Sequence, residues 1–202
     1  PLTIEGKKTV SFELFRQLGY KVPDRIFIPV GDGVIYSGVC KGFEDLLRLG
    51  IIDRMPVAVA VQAKGSSNLI GNLGRKPFVF SASETIADSI SVDIPQCFNM
   101  TADFIRKYHG ETISLTDREI LDASVHLSRT AGIFCEPAAA AACAGMLKYR
   151  DEGMLPAGSK NVVLLTGSGL KDLSSVQGSL GMPEPVDADV ESVEKLVAKI
   201  IE

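Results

Sequence analysis

Asp24-Arg-Ile-Phe-Ile-Pro-Val-Gly-Asp-Gly-Val-Ile-Tyr-Ser-Gly38 decides how the rest of the chain is read. Ile26 to Val30 is apolar throughout, the pattern of a strand covered on both faces. It runs into glycines at 31 and 33, and apolar residues at helical spacing from Tyr36 to Leu49 put a helix directly behind them. The first amides of a helix have no intrahelical acceptor and sit at the positive end of its dipole, so such a turn suits a phosphate. Glycine at 31 and 33 lets the main chain curl round an anion with no Cβ in the way. Strand–glycine–helix turns also occur in α/β proteins that bind no phosphate, so on this pattern alone both readings stand.

Outward from that stretch, strands and helices alternate. Val10 to Leu18 has helical spacing and stops at Gly19; Tyr36 to Leu49 stops at Gly50. Val57 to Val61 is a second solid apolar strand, and the strand–helix–strand succession argues for a parallel sheet wrapped by helices. Residues 65–95 are rich in Gly, Ser, Asn and Pro with little periodicity, and two readings stand: a functional loop or a surface insertion. Gln96 to Tyr108 reads as a helix and Glu111 to Leu115 as a strand. Thr116-Asp-Arg-Glu119 has the spacing of a capping box, opening a helix to about Thr130. Ile133 to Glu136 is expected to be a short strand, with Pro137 in the first turn of an alanine-rich helix ending near Gly153. Val162 to Leu165 is the last strand, and Asp189 to Ile200 a terminal amphipathic helix. No repeat or internal boundary stands out, so residues 1–202 read as a single α/β domain with an open, mostly parallel sheet and helices on both faces.

A chain of 202 residues with 46% hydrophobic content can bury one core. The net charge is −4 with both signs interspersed, and no Lys/Arg cluster is paired with aromatics, which argues against a nucleic-acid partner. No apolar run is long enough to cross a bilayer. Cys40, Cys97, Cys135 and Cys143 have no CxxC spacing; with His109 and His126 they do not make a zinc pattern, and reduced core thiols fit a cytoplasmic protein. The chain opens on Pro1 rather than Met, which suggests a fragment, a processed chain, or a protein with a preceding half.

In doubly wound sheets ligands sit outside the carboxyl ends of the strands. Three segments are expected there: the 31–35 turn, Glu136-Pro137, and Thr166-Gly167-Ser168-Gly169. Read from the residues alone, Thr166 caps a strand end, Glu136 is a carboxylate at a helix N-terminus, Asp88 a turn former, and Lys171-Asp172 an ordinary solvated pair.

Glu5-Gly-Lys-Lys-Thr9, Pro29-Val-Gly-Asp-Gly33, Thr85-Ile-Ala-Asp-Ser89, Glu136-Pro-Ala-Ala-Ala140 and Leu165-Thr-Gly-Ser-Gly-Leu-Lys-Asp172, in this order, resemble the C-terminal part of threonine synthase. That enzyme belongs to the tryptophan-synthase-β-like (fold type II) group that uses pyridoxal 5'-phosphate (PLP), and the resemblance runs from about residue 4 to about residue 180. It implies the large C-terminal domain of such an enzyme, with Gly31, Asp32, Gly33, Val34 and Ile35 around the cofactor phosphate and Thr166 at the pyridine nitrogen. A neutral hydroxyl there gives a milder electron sink than an aspartate would. Asp88 and Glu136 would form the site wall. The chain departs from the resembled Gly-Asn-Ala/Gly-Gly-Asn pattern: Val34 stands where glycine is usual, Ile35 where asparagine contacts substrate, and Asp32 adds a negative charge that weakens phosphate binding unless its side chain turns away.

In the resembled enzymes the Schiff-base lysine lies in the N-terminal half, within a Ser-x-Lys-type motif. Lys7, Lys8, Lys41, Lys64 and Lys171 all stand in segments with other counterparts, so no catalytic residue is expected in this chain, and no metal. The resemblance implies a homo-oligomer acting on an amino-acid substrate, O-phosphohomoserine, converted with water to threonine and phosphate. A threonine-dehydratase-like or cysteate-synthase-like relative, and a truncated non-catalytic binding module, stand as alternatives.

Overall fold

A computed structural model describes residues 2–177 and 185–201; residues 178–180, the tail of the resemblance, fall outside them. The elements in chain order are α1 (Leu2–Lys7), α2 (Thr9–Gln17), β1 (Arg25–Pro29), α3 (Val34–Arg48), β2 (Val57–Ala63), α4 (Asn68–Asn72), α5 (Phe98–Lys107), β3 (Glu111–Leu115), α6 (Asp117–Ala131), α7 (Pro137–Asp151), β4 (Asn161–Val163), α8 (Ser174–Gln177) and α9 (Val190–Ile201). Short 3-10 turns lie at Lys64–Ser66, Asp88–Ile90 and Gly169–Lys171.

The four strands form a parallel sheet in the order β3-β2-β1-β4. Strands β1 and β2 are apolar on both faces because both faces are covered, and side chains still alternate between two cores. Phe27, Val59, Val61 and Ala63 point towards α7 and α6. Ile26, Ile28, Val30, Ala58 and Ala60 point towards α3 and α5. Helix α7 lies close to its face of the sheet because it is built from small residues: Ala138 to Ala142 and Ala144 are all buried. A Cβ on Gly145 would stand 2.9 Å from Val61 Cγ2.

The capping box is present as its spacing predicts: the Thr116 side chain accepts from the Glu119 N–H while the Glu119 carboxylate accepts from the Thr116 N–H. The expected Ile133–Glu136 strand is corrected by the structure. Among the described residues that segment makes only one antiparallel bridge, Cys135 to Ser168, with no neighbouring strand to extend it. Helix α1 was not apparent from sequence, being one and a half turns long with Gly6 inside it. The 64–95 segment is anchored by side chains bonding to backbone. Asn68 Nδ2 donates to the Ser81 carbonyl (2.8 Å), and the Val79 N–H donates to Asn72 Oδ1 (2.6 Å). No helix among the described residues is long and apolar enough to cross a membrane.

Two measurements test this packing. Phe27 is wholly buried and meets Tyr149 edge-on at 5.2 Å. Phe27→Ala is expected to lower the unfolding free energy by about 3–5 kcal/mol in urea titrations. Burial pushes the Glu119 carboxyl up, but the Lys148 ammonium and the N–H and hydroxyl of Thr116 outweigh it and bring it down to about 2. The unfolded chain's carboxyl titrates near ~4.3, so this stabilisation is present above that pH and is lost as the pH falls towards the folded value. The stability difference between wild type and Glu119→Gln is therefore expected to shrink as urea titrations are repeated from neutral pH down through this range.

Candidate functional site

Strand β1 ends at Pro29, and the next amide, Val30 N–H, still bonds to Val61 O (2.8 Å). The chain then leaves the sheet. Gly33 takes the left-handed conformation, φ +88°, that a Cβ disfavours, and α3 begins at Val34. A Cβ on Gly33 would run into the hydroxyl of the buried Thr101. That hydroxyl lies 3.1 Å from the Gly33 carbonyl and 2.9 Å from Ser37 Oγ, tying the turn to α5. A Cβ on Gly31 would stand 3.0 Å from Ile90 Cα, so this glycine is what lets the 88–92 segment close over the turn. Among the described residues, no acceptor meets any backbone N–H from Gly31 to Tyr36.

These groups open on a cleft of about 280 Å³. Gly31, Asp32, Gly33, Val34 and Ile35 line it, and so do Glu136 and Thr166. Thr166 is exposed, and its hydroxyl makes no hydrogen bond among the described residues. Asp32 lines the cleft, but its carboxylate turns to the start of α5, accepting from the Gln96 N–H (3.0 Å). Asp88 is exposed and is not among the lining residues; its neighbours Ser89 and Ile90 are.

Glu136 is the N-cap residue of α7 but makes no side-chain cap bond. Its carboxylate, 6% exposed, instead pairs with Lys171 Nζ (3.2 Å) and accepts from Ser89 Oγ (3.4 Å). Gly167 packs against this carboxylate where a Cβ would collide. Lys171 is therefore not a solvated partner of Asp172, whose carboxylate accepts from the Ser174 and Ser175 hydroxyls. Ser89, Lys171 and Lys7 are lining residues that pattern reading did not single out. Ser89 stands beside Asp88 in a quoted segment, but only the fold shows which of the two faces the cleft.

Burial pushes the Cys40 thiol up to about 12 and the Cys135 thiol up to about 11, so both stay neutral; all four cysteines are free. Among the described residues no group of three or more His, Cys, Asp or Glu side chains is placed to hold a metal.

A parallel α/β sheet whose strand ends converge on a glycine turn with unpaired amides, with an unengaged hydroxyl on the same cleft, is an arrangement that suits a phosphorylated ligand. The chain belongs to the pyridoxal-phosphate dependent enzyme family, whose model matches residues 1–167. It is 32% identical over 203 residues to the threonine synthase of Methanocaldococcus jannaschii, covering 99% of this chain and 50% of that protein. It is 40% identical over 172 residues to the threonine synthase of Synechocystis sp., covering 85% of this chain and 43% of that protein. The chain thus spans about half the length of the curated relatives it matches. Among solved structures, an L-serine ammonia-lyase from Rhizomucor miehei superposes with a TM-score of 0.72 at 23% identity, covering 87% of this chain and 56% of that one. The processed threonine deaminase isoform 2 from Solanum lycopersicum gives 0.72 at 21%, covering 89% and 50%. These two likenesses show the fold.

The family's cofactor is PLP, and the residues present fit it. The free amides and two glycines at 31–33 suit its phosphate, and Asp32 is turned to Gln96. If the turn depends on the missing Cβ at Gly33, Gly33→Ala should lower stability by more than the ~1–2 kcal/mol that a left-handed backbone alone costs. Gly74→Ala, at φ +78° with open space around it, is the control that shows the backbone cost by itself in the same urea titrations.

Proposed function

We propose that this chain forms the phosphate-binding and ring-nitrogen side of a threonine-synthase-like PLP enzyme. An N-terminal half would supply the lysine that holds the cofactor. The whole enzyme is read as converting O-phosphohomoserine and water to threonine and phosphate, in the cytoplasm and as a homo-oligomer. What carries the reading is the single cleft that joins the Gly31–Ile35 turn to Thr166.

When bound, PLP supplies an electron sink for bonds at the substrate's α-carbon. This chain's residues do the holding. The 31–36 amides take the phosphate, and Thr166 offers a neutral hydroxyl to the ring nitrogen, as the resemblance implies for its position. Glu136 and Ser89 form the wall beside that hydroxyl. Support for a second half comes from the length of the relatives and from β4. That strand is an open sheet edge, half-buried along its length, where Asn161 Oδ1 is buried with no partner among the described residues.

One observation favours a relative acting on a different substrate: Ile35, half-buried, puts an apolar side chain in the cleft where the resembled enzymes carry asparagine. The test is co-expression with the N-terminal half. A cofactor absorbance band together with phosphate release from O-phosphohomoserine is the expected result. A band without phosphate release points to the threonine-dehydratase-like or cysteate-synthase-like reading, and absence of both rejects the enzyme assignment.

A further inference from the structure

Four charged side chains line the cleft: Lys7, Asp32, Glu136 and Lys171. Asp32 is engaged by the Gln96 N–H, and Lys7 is exposed. Glu136 and Lys171 differ from these in being paired across the cleft wall, from the start of α7 to the turn beyond Thr166.

The backbone around this pair is thinly held. Segment 134–136 meets segment 167–169 through two hydrogen bonds, Glu136 N–H to Gly167 O (3.2 Å) and Gly169 N–H to Phe134 O (3.1 Å). Among the described residues the bridge between Cys135 and Ser168 has no further strand beside it. Thr166, Ser168 and Leu170 are exposed, so little packing holds this stretch from outside. Yet two glycines here have no spare room. A Cβ on Gly167 would collide with the Glu136 carboxylate, and one on Gly169 would stand 2.6 Å from the Phe134 ring.

The carboxylate at the centre is buried and lacks any bond to the first-turn amides of α7. Its partners are Ser89 Oγ at 3.4 Å and the Lys171 ammonium at 3.2 Å. A buried carboxylate without a counter-charge is costly, so removing the ammonium drives Glu136 out towards water. Gly167 rests on that carboxylate, and Thr166 would move with it. Among the described residues no other cation pairs with this carboxylate.

We propose that Lys171 is a positioning residue for Thr166: as the counter-charge that keeps the Glu136 carboxylate buried, it keeps in place the surface on which Gly167 rests and so holds the hydroxyl opposite the phosphate turn. This rests on the reading that Thr166 meets the cofactor ring. It adds that the hydroxyl's place is set by a counter-charge five residues further along the chain.

The experiment uses the full chain with two ligands. Inorganic phosphate needs only the 31–36 turn. Pyridoxine 5'-phosphate needs turn and hydroxyl together, and it has no aldehyde for a lysine to capture. Lys171→Met is expected to weaken pyridoxine 5'-phosphate about tenfold while leaving inorganic phosphate within about twofold, because an unpaired buried carboxylate disturbs only the ring side. Without ligand, amide exchange at Glu136 and Gly169 should speed up about tenfold by local opening, while Val30 and Val57 in the sheet stay as they were. Lys171→Arg should behave as wild type. Glu136→Gln added to Lys171→Met should restore both readouts, because a neutral amide needs no counter-ion.

Unchanged binding and exchange in Lys171→Met, or a double variant as impaired as the single one, overturns the role of Lys171 alone. A wild-type chain that binds neither ligand overturns the cofactor-site reading and the role of Lys171 with it.

Discussion

Strand β1 is hydrogen-bonded on both edges and buried on both faces, and the position of the cleft follows from it. Phe27 is held against α7 and Tyr149, while Ile26 and Ile28 are held against the α3 layer. Close-packed interiors do not deform by small amounts, so the carboxyl end of this strand has one place to be. The turn that leaves it inherits that precision. Thr101 and Ile90 then close on Gly33 and Gly31 so tightly that only glycine fits. The amide cradle is thus a consequence of central packing expressed at the surface.

The opposite wall is built differently. Glu136 stands on the residue before α7, a helix bedded on the sheet, and its carboxylate is buried. Thr166 stands beyond the short β4, on a stretch with exposed neighbours. One side of the cleft is fixed by apolar contact and the other by charge. Apolar contact is insensitive to ionic strength, whereas a half-exposed ion pair is screened by salt.

Much of the fold could be read from the sequence because the signals are local. Ile26–Val30 and Val57–Val61 are solid apolar runs, Thr116 and Glu119 carry their own cap, and Pro137 marks the start of α7. The failures have a common physical cause. Ile133–Glu136 is apolar enough to look like a strand, but strand formation needs a partner ladder, and only Ser168 is there. The 65–95 stretch lacks periodicity because Asn68, Asn72 and Ser66 bond to backbone and take the place of a ladder or helix. In the site, the glycine turn between β1 and α3 was legible since its glycines are contiguous with the strand that aims them. Lys171 was not, because its partner is 35 positions away in the chain and the two meet only through tertiary structure. Asp88 and Ser89 show the same limit on a finer scale, one facing solvent and the other the cleft.

Helix α7 is made of the smallest side chains where it meets the sheet, and that choice constrains how such a protein can diverge. Ala139 to Ala142 are wholly buried, so growth of any of them towards a larger residue would overpack the core and shift the helix against the sheet that floors the cleft. Diversification of what the pocket accepts is therefore channelled to the rim, to Val34, Ile35 and Ser89, where a side chain can change size without lifting that helix.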